Sequence, residues 1–320
     1  MSKTKLYINS RGRLFDCAVK EGIKWETARE KTPGKLTFEV AKDDWENFGF
    51  HEGDAVRFEY DGQKVFFGFV FTKKRKDNRF IEVTAYDQLR YLKNKDTYVY
   101  ENKTAAQVLQ MIAKDFGLKT GAIEGTNYVI PSRVEDNQEL FSIIANALLE
   151  TVQHTGKSYV LYDDFGKLSL KNIESMKSTL LIDETSGESF DYESSIDEDV
   201  YNRVKLICEN KKTKERKVIM AQANVGEWGI LQLTEKVDDT VNAQARANGL
   251  LKLHNNKKRK LHMKDVFGDV TIRGGSSLAV SMYLGDITVA NYMVVDNVKH
   301  TFLESHHKMD LALIGGDFSA

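Results

Sequence analysis

Ala55-Val56-Arg57-Phe58-Glu59-Tyr60, the turn Asp61-Gly62, Val65-Phe66-Phe67-Gly68-Phe69-Val70-Phe71, and, after a basic turn over residues 73–79, Phe80-Ile81-Glu82-Val83-Thr84-Ala85-Tyr86: this stretch decides the fold class. Apolar and polar residues alternate with a period of two, and the runs are separated by Asp-Gly and charged turns. That pattern predicts consecutive antiparallel strands with one buried face, closing into a small barrel or sandwich. Leu36-Thr37-Phe38-Glu39-Val40 alternates in the same way upstream. A short helix is expected over residues 43–48, and the first β-barrel-like domain is expected to span residues 1–97.

Around residue 98 the period changes. Thr104 is placed as the N-cap of a helix carrying Val108, Leu109, Ile112, Ala113 and Phe116, with Gly117 at its end. A second helix is expected to begin at Asp136-x-x-Glu139, a variant capping box, and to end at Gly156. Residues 159–170 read as a hairpin, and the Ser-, Asp- and Glu-rich residues 177–200 as a connector, so 98–200 is expected to be a middle α+β domain. The second β-barrel-like domain, 201–320, begins with Asn202-Arg203-Val204-Lys205-Leu206-Ile207-Cys208. One helix over about residues 240–253 interrupts it, followed by a basic tail at 257–260. Its further strands are expected at 268–272, 278–280, 292–295 and 309–313. The fold class is therefore mainly β with a mixed α/β insert. From Gly275 the second region echoes the first: strand, a turn at Gly285-Asp286, strand, a His-rich turn over 300–307, strand. The turns at 73–79 and 300–307 are expected at equivalent positions.

Composition excludes several classes of function. The 320 residues carry 46 basic and 47 acidic side chains, so neither uniform attraction to nucleic acid nor to an anionic membrane is expected. Two prolines exclude long Pro-rich linkers. Cys17 and Cys208 lie in apolar or alternating segments and read as buried free thiols of a reducing cytoplasm. Neither a secretory leader nor an apolar run near the ~18 residues of a membrane span is evident.

Signatures of chemistry are few. Gly-x-Ser-x-Gly, a Walker loop, a Rossmann fingerprint and His-Glu-x-x-His are all missing from the sequence. His300, His306 and His307 form the sharpest metal candidate, but adjacent histidines on a strand face opposite sides, and a solvated turn is the expected reading. The carboxylate pairs Asp163-Asp164 and Asp238-Asp239 could do acid–base work on glycans; turn and cap roles are expected instead. Lys257-Lys258-Arg259-Lys260, with His254 and His262 nearby, reads as a solvated helix tail. Lys73-Lys74-Arg75-Lys76 reads as a charged turn, with a basic collar facing an acidic partner or DNA as the alternative. Phe58, Tyr60, Phe66, Phe67, Phe69 and Phe71 are assigned to packing. No catalytic, cofactor-binding or metal residue is expected.

Several segments nevertheless carry a family resemblance. These are Trp25-x-x-x-Arg29 with Pro33-Gly34-Lys35-Leu36-x-Phe38; Glu52-Gly53-Asp54-x-Val56; residues 82–92; Arg133-Val134-Glu135-Asp136; residues 156–168; and Asn202-Arg203-Val204-Lys205-Leu206. Through them the chain resembles the XkdQ/YqbQ-type proteins of defective prophages and phage-tail-like bacteriocins, which look like baseplate hubs of contractile tails. The resemblance implies a non-enzymatic virion component that forms a homotrimer of two tube-like barrels per chain. Three such chains imitate sixfold order between a hexameric tail tube and a central spike. Implied partners are the tail tube protein, the spike, other baseplate proteins and the tape measure protein, without membrane or sequence-specific nucleic acid. Since the chain ends at Ala320 soon after its last strand, no fused lytic domain is expected. The competing readings are a cell-wall hydrolase and a glycan-binding module using Trp45 or Trp228.

Overall fold

The computed structural model describes residues 3–41, 49–75, 79–209, 213–238, 242–283 and 288–315. Its first body contains β1 (Thr4–Ser10), β2 (Arg13–Asp16), β3 (Ile23–Ala28), β4 (Lys35–Ala41), β5 (Ala55–Tyr60), β6 (Gln63–Arg75) and β7 (Phe80–Tyr86). Alternation places Leu6, Ile8, Trp25, Leu36, Phe38, Val56, Phe58, Val83 and Ala85 in one core. The helix expected at 43–48, and with it Trp45, lies outside the described residues. Backbone bonds from Cys17 N to Leu6 O, Lys20 N to Glu39 O and Ala41 N to Ala18 O link β1 to β4 through residues 17–20.

The middle body holds β8 (Lys95–Lys103), α1 (Ala105–Asp115), β9 (Thr120–Ile123), β10 (Ile130–Glu139), α2 (Leu140–Thr155), β11 (Tyr159–Asp163) and β12 (Leu168–Asn172). Thr104 caps α1 as its sequence predicts: its hydroxyl accepts from Gln107 N–H, and the Gln107 side chain accepts from Thr104 N–H. The start of α2 differs from expectation. Asp136 is still on β10, where its carboxylate accepts from the Thr97 hydroxyl, and after an irregularity between Glu135 and Gln138 pairing with β8 continues to Glu139. Gly156 ends α2 at φ 71, the left-handed conformation that glycine adopts without steric cost. Phe67, Phe69 and Phe71, on the outer face of β6, meet Phe165, Tyr91 and Tyr86, so the middle body packs on that aromatic row.

Residues 177–200 are not a connector. They supply β13 (Lys177–Ile182) and β14 (Ser189–Ser195), which pair with strands far ahead in sequence. Next, β15 (Arg203–Glu209), β16 (Arg216–Gln222), α3 (Val225–Trp228), β17 (Gln232–Asp238) and α4 (Ala243–His254) form a separate three-stranded sheet with helices and its own core of Val204, Leu206, Ala247 and Leu250. The basic run then opens β18 (Lys258–Phe267) rather than trailing from a helix. The expected strand at 268–272 is a turn, held by Thr271 N–H and hydroxyl donating to the Asp269 carboxylate. The chain finishes with β19 (Ser277–Tyr283), β20 (Thr288–Phe302) and β21 (His307–Gly315). The turn expected at Gly285-Asp286 lies outside the described residues.

The two β regions share one thirteen-stranded sheet among the described residues. Its order is β14-β18-β21-β20-β3-β4-β7-β6-β5-β1-β2, with β13 joined through β19 to β20. Within it the order β5-β6-β7-β4-β3 is repeated as β19-β20-β21-β18-β14. Even an irregularity recurs: the long strand of each set slips register against its hairpin partner, at Val70/Thr72 in β6 and at Val295/Asn297 in β20. The echo read from sequence thus extends to strand order. The connections β6–β7 and β20–β21 are topologically equivalent, although His300 and His307 sit on strands and only residues 303–306 lie between them.

Candidate functional site

Where the two halves of the sheet meet, β3 pairs antiparallel with β20, from Asn297 opposite Ala28 to Phe302 opposite Ile23. The inward side chains of this seam are aromatic. Trp25 stacks on His300 with ring centroids 4.7 Å apart, and Phe302 packs against Phe58, Tyr60 and His307. His300 has no exposed surface and His307 only 9%, so the expected solvated turn does not hold for this pair; His306 alone is exposed. The bonding fixes the tautomers. The carbonyl of Ile272 can only accept, so His300 Nε2–H donates to it at 2.9 Å. His300 Nδ1 then accepts from His307 Nε2–H, also at 2.9 Å. Burial holds the pKa of His300 well below the ordinary imidazole value, with His307 adding to the shift; burial lowers that of His307 to about 4. Two neutral rings that satisfy each other are structural. Both His300 nitrogens and Nε2 of His307 are committed to these bonds, and no group of three or more His, Cys, Asp or Glu among the described residues is placed to hold a metal.

A polar node ties the three bodies together beside this seam. Asp87, at the end of the first body, accepts from Gly34 N–H and Leu89 N–H. Gln88 Nε2–H donates to the Asp163 carboxylate and to Gly166 O, while its Oε1 accepts from Lys119 N–H. Arg273, from the last body, donates to Asp163 O at 3.0 Å and lies over the rings of Tyr162 and Trp25. Burial, then the neighbouring charge of Asp163, raises the Asp87 pKa well above the carboxylate range; burial also raises that of Asp163. Two perturbed carboxylates beside a guanidinium could suggest acid–base chemistry. The available space decides otherwise: the cavity they line has a volume of about 20 Å³, room for a single water. The node holds bodies together. Gly34 shows how tightly, because a Cβ there would lie 2.3 Å from Asp87 Oδ2. Gly34→Ala is expected to destabilise the chain by about 1–3 kcal/mol, read as a lower denaturation midpoint.

On the other face of the seam lies an open groove of about 480 Å³, lined by β3, β4, β18, β20 and β21. Its paired charges are Glu26–Lys35 at 3.0 Å and Lys299–Asp310 at 3.2 Å, with Arg90, Lys93 and Lys264 adding positive charge. The remaining sequence candidates are dispersed. Asp164 is exposed in the β11–β12 turn, away from the node that takes Asp163, and Asp238 ends β17 while Asp239 lies outside the described residues. His262 is exposed on β18, and His254 Nδ1 lies 3.1 Å from Asp199 O. Trp228 is half-buried at the end of α3. Lys73 Nζ donates to Phe50 O, and Lys74 and Arg75 are exposed; Lys76 lies outside the described residues. Cys17 and Cys208 are buried free thiols in separate cores. Sequence reasoning missed the joining role of Trp25, Asp87 and Arg273. The first two stand in quoted segments, but nothing local reveals partners that lie from 53 to 275 residues away.

Known proteins match this chain over nearly its full length. XkdQ of the phage-like element PBSX from Bacillus subtilis (strain 168) is 30% identical over 306 residues, covering 92% of each chain. The 43 kDa tail protein of prophage MuSo2 from Shewanella oneidensis has the same fold, with a TM-score of 0.69, 13% identity, and 97% of this chain and 98% of that one covered. So does the E. coli c3393 protein, described as a type VI secretion system component structurally similar to T4 bacteriophage tail proteins gp27 and gp5. Its TM-score is 0.58 at 10% identity, covering 96% of this chain and 76% of that one. The family described as YQBQ-like matches residues 23–314, from the first residue of β3 into the last strand, and the chain belongs to that family.

Proposed function

We propose that this chain is a non-enzymatic baseplate hub subunit of a contractile phage tail or phage-tail-like particle. Three copies form a ring whose six β modules dock on a hexameric tail tube and present threefold symmetry to a central spike. One observation carries the reading: a single sheet repeats the same strand order, β5-β6-β7-β4-β3 and β19-β20-β21-β18-β14. A chain that contains two like modules lets a trimer imitate a hexamer, and closed cyclic symmetry covers sheet edges that would otherwise aggregate. The bonds that carry residues 17–20 between β1 and β4 support a barrel-like closure of the first module. The second module draws β13 and β14 from across the β15–α4 unit. Other baseplate proteins and the tape measure protein are the further partners of such a ring, and the virion is its location.

The hydrolase alternative needs a cleft. The perturbed carboxylates instead line a cavity of only about 20 Å³, which favours the structural reading. Cryo-electron microscopy of native particles tests the proposal: three copies between tube and spike are expected. Particles that lack the chain, or hold it as anything but a threefold ring, would overturn it.

A further inference from the structure

The seam inside the chain is a template for a seam between chains. In the second module, the C-terminal half of β20 has β21 on one side and β3 on the other. The equivalent half of β6 has β7 on one side and, among the described strands, none on the other. The counterpart of β3 is β14, which pairs only with β18 among the described strands and forms one end of the sheet. Each chain therefore carries one filled seam and both halves of an unfilled one.

The strand registers fix which residues would meet. The shared slip aligns Thr72 with Asn297, so Lys73 matches Val298, Lys74 matches Lys299 and Arg75 matches His300. On the hairpin partners, Thr84 then matches Ala312 and Ala85 matches Leu313. Through them, on β4 and β18, Thr37 matches His262, Leu36 matches Leu261 and Lys35 matches Lys260. One strand further, Trp25 matches Tyr192 and Glu26 matches Glu193. The alignment reproduces chemistry that did not enter it. Glu26 pairs with Lys35 at 3.0 Å, and Glu193 reaches Lys260 at 3.9 Å. Within the chain Glu26 stands opposite Lys299, so across copies Glu193 would stand opposite Lys74.

We propose that β14 of one copy pairs antiparallel with the C-terminal half of β6 of the next, with Glu193 opposite Lys74 and Tyr192 opposite Arg75. The proposal rests on the ring reading above. The occupant is a second copy because the two edges complement each other. Acidic Asp191 and Glu193 are exposed on β14, and basic Lys74 and Arg75 are exposed on β6. Such a heterologous contact closes into a ring or runs on as a filament; with two modules per chain, three internal and three external seams alternate around six modules.

Disulfide trapping tests it. Directly opposed residues in an antiparallel pair bring Cβ atoms to about 4.5–5.5 Å, within reach of a disulfide after small shifts. Full chains carrying Lys74→Cys and Glu193→Cys are mixed at high concentration and oxidised, with Asp191→Cys as the out-of-register control. A covalent dimer from the Lys74→Cys and Glu193→Cys mixture, and from neither variant alone, is the expected result; Cys17 and Cys208 are buried and stay silent. A second arm reverses the charges: Lys74→Glu alone should abolish the association, and adding Glu193→Lys should restore it. Trimers seen by light scattering without the 74–193 crosslink would overturn this interface and leave the ring standing. Absence of any trimer, both in isolation and in particles, would overturn both.

Discussion

Trp25→Ala will lower the stability of the chain by about 3–5 kcal/mol, the largest single-residue effect expected here. Trp25 is only 3% exposed, stacks on His300 and lies beneath Arg273. Its removal leaves a cavity where β3 meets β20, and it strips the face from a guanidinium that reaches across to the middle body. The loss falls on the contact between modules rather than within either one. Chemical denaturation should therefore show a lower midpoint and a broadened or split transition as the two cores, one around Phe58 and one around Leu311, begin to unfold separately. A single transition with a shift below about 1 kcal/mol would mean that the seam does not couple the modules.

Acid should weaken the same seam. The native pKa of His307 is about 4, below the value near 6.5 that the residue has when unfolded. As pH falls through that window the unfolded chain takes up a proton that the native chain refuses, so stability is full above pH 6.5 and is lost as pH approaches 4. For His307 alone the loss is about 3 kcal/mol, and His300, shifted in the same direction, adds to it. Asp87 and Asp163 work the other way: their native pKa values are raised, so their protonation on acidification favours the folded state. Comparison with His307→Gln cancels those carboxylate contributions. From pH 7 to pH 4 the native sequence should lose about 3 kcal/mol more than the variant. Equal losses would show that His307 is charged or solvated in the native fold.

Sequence disclosed the parts more readily than their connections. β5 and β7 have the predicted limits because each alternates without interruption between turns. β18 escaped because its register slips between Met263 and Val266, which breaks the period of two inside a strongly charged run. β14 escaped because an edge strand with most side chains in solvent has little apolar pattern to show. The decoy at residues 268–272 alternated correctly, but the Asp269 side chain captures the backbone two residues on. The histidines were misplaced for a different reason. A buried imidazole needs specific partners, and beyond nearby His307 those of His300 are Trp25, far away in sequence, and Ile272, in a loop. No local window contains that information.

The way β3 lies along β20 has a mechanical consequence. Six residue pairs align side by side, running antiparallel. A force applied along the strands must shear all of these bonds at once, whereas a force at right angles peels them one after another. A joint of this kind is stiff in one direction and compliant in the other, so thrust running parallel to β20 would pass from one module to the next with little loss.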